Sequence, residues 1–229
     1  MGDPAAETRA TQILAVALSR SAELASPRAQ EPQRYIPIPP LLLAASKAVL
    51  LASLEAPNPP LEVLALATRN TFELYLRFKH ITMSDANSQA WRDEAVTDHL
   101  QIYESVLAID GPESVKAVLS SEISRIRRHA EMKGLKRAKE LLSAGKVAGA
   151  VGLKNEHSTF YKFYSKLVHP SSFWVNQPSA AATPVFRSVL MFNLQLYGNL
   201  ILDQTETILG ISAIGLIKEA ERTLDSRRS

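Results

Sequence analysis

The hydrophobic residues of this chain recur every three or four positions along most of its length, and this spacing predicts helices. No run of alternating hydrophobic and polar residues bounded by hairpin turn residues is present. We therefore expect an all-α fold, a multi-helix bundle. The predicted helices are 4–24, 41–55, 60–83, 88–109, 112–142, a segment that Pro170 ends, and a long final region to about residue 224.

The predicted helix at 60–83 carries apolar residues around most of its circumference, which is typical of the central helix of a bundle. At the N-terminus, Asp3 and Pro4 resemble a helix cap followed by proline at the first helical position. The proline-rich segment Ser26–Pro40 favours an extended linker. We therefore expect a semi-detached N-terminal helix with its linker at 1–35 and a bundle domain at 36–229.

Composition narrows the classes of function. The 229 residues are 46% hydrophobic, which is enough for a substantial core. The absence of cysteine excludes disulfides and thiolate metal sites, and the spacing of the five histidines gives no metal-binding pair on one helix turn. We expect no cofactor, because no P-loop or dinucleotide-binding glycine motif occurs. A cytoplasmic location is expected, without a membrane span, because charged residues interrupt the apolar windows and no basic, apolar leader opens the chain.

The most aromatic stretch, Glu156–Ser172, is the first candidate for chemistry. On a helix its polar residues fall four positions apart and form one line: His157, Tyr161, Ser165 and His169. Pro170 cannot continue a helix, so His169 is predicted at the helix C-terminus, where the dipole favours the imidazolium. That histidine could act as a general acid or base or hold an anion. The alternative is a histidine that only caps its own helix.

The stretch F-Y-K-F-Y-S-K-L-V-H-P-S, with an upstream R-N-T-F-E on an apolar helix, resembles the HEPN-like helical domains of bacterial stress, toxin and defence proteins. The resemblance covers roughly residues 61–209. Active members of that superfamily are metal-independent ribonucleases whose motif is an arginine, four to six residues, and a histidine, often assembled across a dimer interface. The resemblance therefore implies RNA or a nucleotide-like ligand, with ribonuclease activity centred on His169.

The motif arginine has no counterpart here, because the positions before His169 with that spacing are Tyr164, Phe163 and Lys162. Arg69, four residues before Glu73 on the central helix, is the predicted substitute. We expect Arg69, Glu73 and His169 to form one polar cluster. In the ribonuclease interpretation, His169 moves the proton, and Arg69 or Lys162 stabilises charge on the phosphate.

Two other side chains complete this predicted catalytic set. Ser165 and Tyr161, on the same helix as His169, position the scissile group in the ribonuclease interpretation.

Positive charge concentrates between residues 125 and 146, within a chain of formal net charge +3. Nucleic-acid backbone binding is one interpretation of this segment, and a solvated helix face is the other. The residues predicted to contact RNA are Arg125, Arg127, Arg128, Lys133, Lys136 and Arg137.

A non-catalytic interaction protein is the alternative function, in which the same polar residues fix helix packing and the bundle forms a homodimer or docks a protein partner. The missing motif arginine favours this alternative. Its predicted contact points are the segment Ser26–Pro40 and the loop aromatics Phe173 and Trp174.

Overall fold

The computed structural model describes residues 3–54, 59–169, 171–177 and 183–226, without the side chains of residues 173 and 174. Within these ranges the chain is helical and contains no strand, which confirms the all-α prediction. A 3-10 turn occupies Gln33–Tyr35. The α-helices are α1 (Pro4–Ala25), α2 (Ile38–Leu51), α3 (Leu61–Met83), α4 (Asp85–Leu107), α5 (Glu113–Met132), α6 (Ala144–Ala150), α7 (Lys154–Val168), α8 (Ser172–Asn176), α9 (Pro184–Leu209) and α10 (Ala213–Ser226).

Helix α3 is the central helix of the bundle, as its apolar circumference predicts. It packs against α2, α4, α6, α7 and α9. Phe72, Phe78 and Ile81 are at most 1% exposed. Burying a large apolar side chain stabilises a fold by about 1.5–3 kcal/mol, so α3 is a major source of the core's stability.

Helix α1 is not semi-detached, which corrects the sequence prediction. Its N-terminus is as expected, with the Asp3 side chain accepting a hydrogen bond from the Ala5 amide at 3.0 Å. Leu14 and Leu18 on α1 are nevertheless buried in the same core as α3. The reason is an inward face of small residues, which lets α1 lie close to α2 and α9. At Gly198 on α9, a Cβ atom would stand 2.6 Å from a methyl carbon of Leu14.

The segment Ser26–Pro40 is not an extended linker. Pro37 and Ile38 are buried, and α2 begins at Ile38. The two prolines at 39 and 40 fall in the first turn of α2, where a missing amide hydrogen breaks no helical hydrogen bond. The Arg34 amide donates to an Asp85 carboxylate oxygen at 3.1 Å, which fastens this segment to α4.

Helix α5 ends at Met132, ten residues before the predicted end at residue 142. Gly134 adopts a left-handed φ of 63°. The Gly134 amide donates to Glu131 and the Leu135 amide to Ala130, the hydrogen bonds of a Schellman helix ending. Residues 133–143, called the strap below, then run alongside α4 without helical structure.

Helices α4 and α5 form an arm with its own small core. Leu100 on α4 is buried against Ile123 and Ile126 on α5. The N-terminal part of α4 carries the residues that face the bundle, Trp91 and Glu94 among them. Helix α4 therefore links the arm to the bundle.

Two helical stretches, Gln33–Leu51 and Pro184–Leu209, are long and apolar enough to cross a membrane by length and composition. Each reaches a mean hydropathy of 1.2, and 44% of each apolar window is buried inside the bundle. Core helices meet the same criteria, so this finding is weak evidence for a span.

Candidate functional site

A cavity of about 690 Å³ lies between α2, α3, α4, the strap and α6. Its walls combine aliphatic side chains with a few charged ones. The polar and aromatic side chains around it are Lys47, Asn70, Glu73, Arg77, Trp91, Glu94 and Asp98. The apolar ones include Ala44, Ala48, Leu51, Leu74, Leu141, Leu142, Ala144 and Val147.

A buried ion pair organises one side of this cavity. Arg77 Nη1 lies 3.2 Å from Glu94 Oε2, and the two side chains are 15% and 5% exposed. The Arg77 guanidinium also stacks over the Trp91 ring, 4.5 Å from its centroid. Burial lowers the pKa of Arg77, while Glu94, Glu73 and Asp98 favour its charged form. An arginine starts from so high a pKa that Arg77 stays charged at neutral pH.

Arg77 and Glu94 also hold the strap in place. Glu94 Oε1 accepts a hydrogen bond from the Leu142 amide at 2.9 Å, and the Leu142 carbonyl accepts one from Arg77 Nη2. The backbone amide and the backbone carbonyl of Leu142 are therefore both hydrogen-bonded to the ion pair. Charge-assisted hydrogen bonds of this kind are stronger than neutral ones, so the ion pair fixes this wall of the cavity.

Two further side chains of α4 bind the strap. Asp93 accepts a hydrogen bond from the Lys136 amide at 2.9 Å, and Thr97 Oγ1 accepts one from the Ala138 amide at 2.7 Å. These backbone amides of the strap therefore donate to side chains of α4, whereas in a helix they would donate to backbone carbonyls.

Part of the predicted polar line on α7 meets α3. Arg69 Nε donates to Glu73 Oε1 at 2.9 Å, and the Arg69 guanidinium lies 4.8 Å from the centroid of the Tyr161 ring. The Tyr161 ring stacks in turn on His157, with centroids 5.1 Å apart. Burial opposes the charge of Arg69, but the hydrogen bond and charge of Glu73 outweigh it and raise the pKa of Arg69. The structure therefore brings Arg69, Glu73 and Tyr161 together.

His169 does not join these residues. It follows α7 with φ −100° and ψ 152°, at the helix end that Pro170 predicts, and its side chain is exposed. Eight residues separate it from Tyr161, which is about 12 Å along a helix axis. Within the described ranges its side chain makes no hydrogen bond or ion pair with Arg69 or Glu73. The expected cluster of Arg69, Glu73 and His169 is therefore not formed, because two helical turns intervene.

The other predicted catalytic residues also lie apart from the cavity. Lys162 is exposed and Ser165 is half-buried on α7, and neither lines the cavity. Glu73 belongs to both regions, since it binds Arg69 and lines the cavity. One polar stripe on α3 thus connects the aromatic contacts of α7 with the cavity.

The basic segment is partly neutralised. Arg125 pairs with Glu122 at 2.7 Å, while Arg127 and Arg137 share Glu104 at 3.3 and 2.9 Å. These exposed pairs lower the pKa of Glu104 through hydrogen bonds from Arg137 and Arg127. The bases that make no ion pair or hydrogen bond through their side chains within the described ranges are Arg128, Lys133, Lys136 and Lys139.

The sequence patterns did not predict the cavity or the Arg77–Glu94 pair. A signal was present in the spacing of Arg69, Glu73 and Arg77, four residues apart on an otherwise apolar helix. The location of Glu94 carried no such signal, because its partner lies on another helix. Trp91 three residues earlier gave the other hint of a site.

The chain matches no family model, no curated protein and no solved structure. The HEPN-like resemblance therefore stays a prediction. Within the described residues, no group of three or more histidine or carboxylate side chains could hold a metal ion. The geometry thus defines an all-α bundle with one large mixed cavity, and the cavity is the strongest candidate site.

Proposed function

We propose that this protein binds a small organic ligand of nucleotide-like size in the cavity between α2, α3 and α4. The observation that carries the proposal is a cavity of about 690 Å³ with one wall fixed by the buried Arg77–Glu94 pair. Known ligand sites span roughly 300–1,000 Å³ and combine mostly apolar walls with a few placed polar groups. The cavity has both properties.

The ion pair explains how the site is held ready for a ligand. An ionised pair with side chains 15% and 5% exposed is costly to desolvate, and replacing it by packed hydrophobic residues often stabilises a protein. Its location at the cavity, with Trp91 on one side and the strap on another, supports a role in shaping the site.

A cavity-filling substitution tests the proposal. Ala144 lines the cavity, whereas Ala150 is exposed at the far end of the same helix, so Ala144→Trp and Ala150→Trp form a matched pair. We expect adenosine or guanosine 5′-monophosphate to bind the parent and Ala150→Trp equally, and Ala144→Trp at least about tenfold more weakly, by calorimetric titration. Equal binding by all three proteins would place the ligand elsewhere.

RNA binding along α5 is a second candidate function. Four bases without side-chain partners in the described chain support it: Arg128, Lys133, Lys136 and Lys139. Clustered free bases bind phosphates through release of counterions, so retention on RNA should fall steeply with salt. Replacing Arg128 and Lys133 by glutamine should weaken retention, while the same changes at the paired Arg127 and Arg137 should weaken it less.

Ribonuclease activity is a separate proposal, supported by the HEPN-like resemblance and by the position of His169 at a helix end. It needs a cation from another source, since Arg69 makes no contact with His169 in the described chain. Loss of RNA cleavage in His169→Ala would support it, and unchanged cleavage would end it.

The alternative of a homodimer or a docked protein partner also stays a proposal. The side chains of Phe173 and Trp174, its predicted contact points, lie outside the described residues. Sizing chromatography with light scattering measures the oligomeric state directly.

A further inference from the structure

The charges around the cavity are mostly paired within the protein. Arg77 pairs with Glu94, and Glu73 pairs with Arg69. Two charged side chains of the lining are left over, Lys47 on α2 and Asp98 on α4, and within the described chain neither makes a hydrogen bond or an ion pair. The unpaired set is one cation and one carboxylate.

These two groups reach the cavity from different helices. Helices α2 and α4 both pack against α3, and α3 side chains line the same cavity. One of those α3 residues is Asn70, whose exposed amide offers both donors and an acceptor. The remaining walls are the Trp91 ring, the paired charges and aliphatic side chains.

Lys47 and Asp98 are both exposed, and a ligand that fills the cavity removes part of the water around each charge. A charged group that loses water without gaining a partner costs free energy, whereas a group that gains an opposite charge regains most of it. A ligand with a single charge would gain an opposite charge at Lys47 or at Asp98, but not at both. A ligand with opposite polar ends matches both.

We propose that the cavity takes a bipolar ligand, with an anionic group at Lys47, a cationic or N–H donor group at Asp98, and a compact apolar or aromatic body between them. This inference rests on the proposed ligand-binding function. A mononucleotide has this chemistry, with a phosphate at one end and base N–H donors at the other. A zwitterion with its ammonium and carboxylate at opposite ends of a ring, such as 4-(aminomethyl)benzoate, has it as well.

Crossing ligands with variants tests the inference. The probes are adenosine 5′-monophosphate and 4-(aminomethyl)benzoate, each beside an analogue without one polar end, adenosine and 4-methylbenzoate. The variants are Lys47→Met and Asp98→Asn, with Lys218→Met and Asp203→Asn as controls at exposed positions outside the cavity. Calorimetric titration gives the dissociation constant of each combination.

We expect Lys47→Met to weaken the monophosphate about tenfold and to leave adenosine unchanged. Asp98→Asn should weaken 4-(aminomethyl)benzoate about tenfold and leave 4-methylbenzoate unchanged. Binding of only one of the two bipolar probes identifies its source, a nucleotide or an amino acid.

The failures can be told apart. Binding that Ala144→Trp abolishes, but that neither Lys47→Met nor Asp98→Asn alters, overturns the bipolar ligand and keeps the cavity site. Binding of neither bipolar probe to the parent at about 1 mM, a free energy near −4 kcal/mol, overturns both proposals.

Discussion

Two sets of ion pairs in this protein contrast in burial and in consequence. The Arg77–Glu94 pair is nearly buried and binds the strap backbone, whereas Glu104 on α4 pairs at the surface with Arg127 of α5 and Arg137 of the strap. A buried charge must keep its partner, while an exposed one exchanges its partner for water at little cost. The Arg77–Glu94 pair therefore shapes the fold, whereas the charges around Glu104 are free to serve solubility or binding.

Removing Glu94 should have the largest effect. Glu94→Ala leaves Arg77 buried without its counter-ion and the Leu142 amide without its acceptor. Breaking a buried pair in this way costs about 3–5 kcal/mol, so we expect a marked loss of unfolding free energy in urea titration. Glu104→Ala on the arm is the matched control and should leave the transition nearly in place. Similar losses of unfolding free energy in Glu94→Ala and Glu104→Ala would contradict the difference drawn between the two pairs.

Shortening the cation at the same pair should have an intermediate effect. Arg77→Lys keeps a positive charge but loses the planar fork that reaches Glu94 and the Leu142 carbonyl together while stacking on Trp91. We expect a loss of about 1–3 kcal/mol, because hydrogen bonds to charged groups are worth that much. Arg128→Lys, on the exposed face of α5, serves as the control in the same thermal unfolding experiment. An unaffected Arg77→Lys protein would show that charge alone suffices.

Loosening the strap should cost less. Thr97→Val keeps the shape of the side chain but removes the acceptor of the Ala138 amide, which bonds Thr97 Oγ1 at 2.7 Å. We expect about 1 kcal/mol of destabilisation and faster hydrogen exchange at the strap amides. Thr207→Val on the exposed side of α9 should change neither. Strap amides that exchange at the parent's rate would contradict the role given to α4.

The smallest effect concerns pH. Burial lowers the pKa of His80, whose Nδ1 is buried without a partner within the described chain, and the charge of Arg77 adds to this shift. The unfolded chain therefore binds the proton more readily, so stability should fall as pH drops through about 6.5. His80→Gln should flatten this slope between pH 7 and 5 in thermal unfolding, whereas the exposed His129→Gln should not. Equal slopes in all three proteins would contradict the assignment.

Local patterns predicted most of the fold. Hydrophobic spacing located the central helix, Asp3 marked the start of α1, and Pro170 fixed the end of α7 at His169. These features depend on neighbouring residues, which a sequence displays directly. The final region, predicted as one long helical stretch, divides at Gly210, which adopts a left-handed conformation.

Features that depend on distant partners were missed. Most of the strap was predicted as part of the helix 112–142. Its acceptors on α4 lie some 40 residues earlier, as the separation of 41 between Thr97 and Ala138 shows. Helix α1 was expected to be semi-detached because of the proline-rich segment that follows it, and its contact with Gly198 joins distant parts of the chain, which local spacing does not display. Four separate stretches of the sequence line the cavity, and no local spacing of residues predicts it.

The claim that the cavity is the ligand site is tested most directly by amide and indole NMR spectra during titration with adenosine 5′-monophosphate. We predict saturable shifts at the Trp91 indole and the Asn70 side-chain amide, with the Arg125–Lys139 region unchanged. Shifts confined to α5 or to the surroundings of His169, with Trp91 and Asn70 unmoved, would contradict the account.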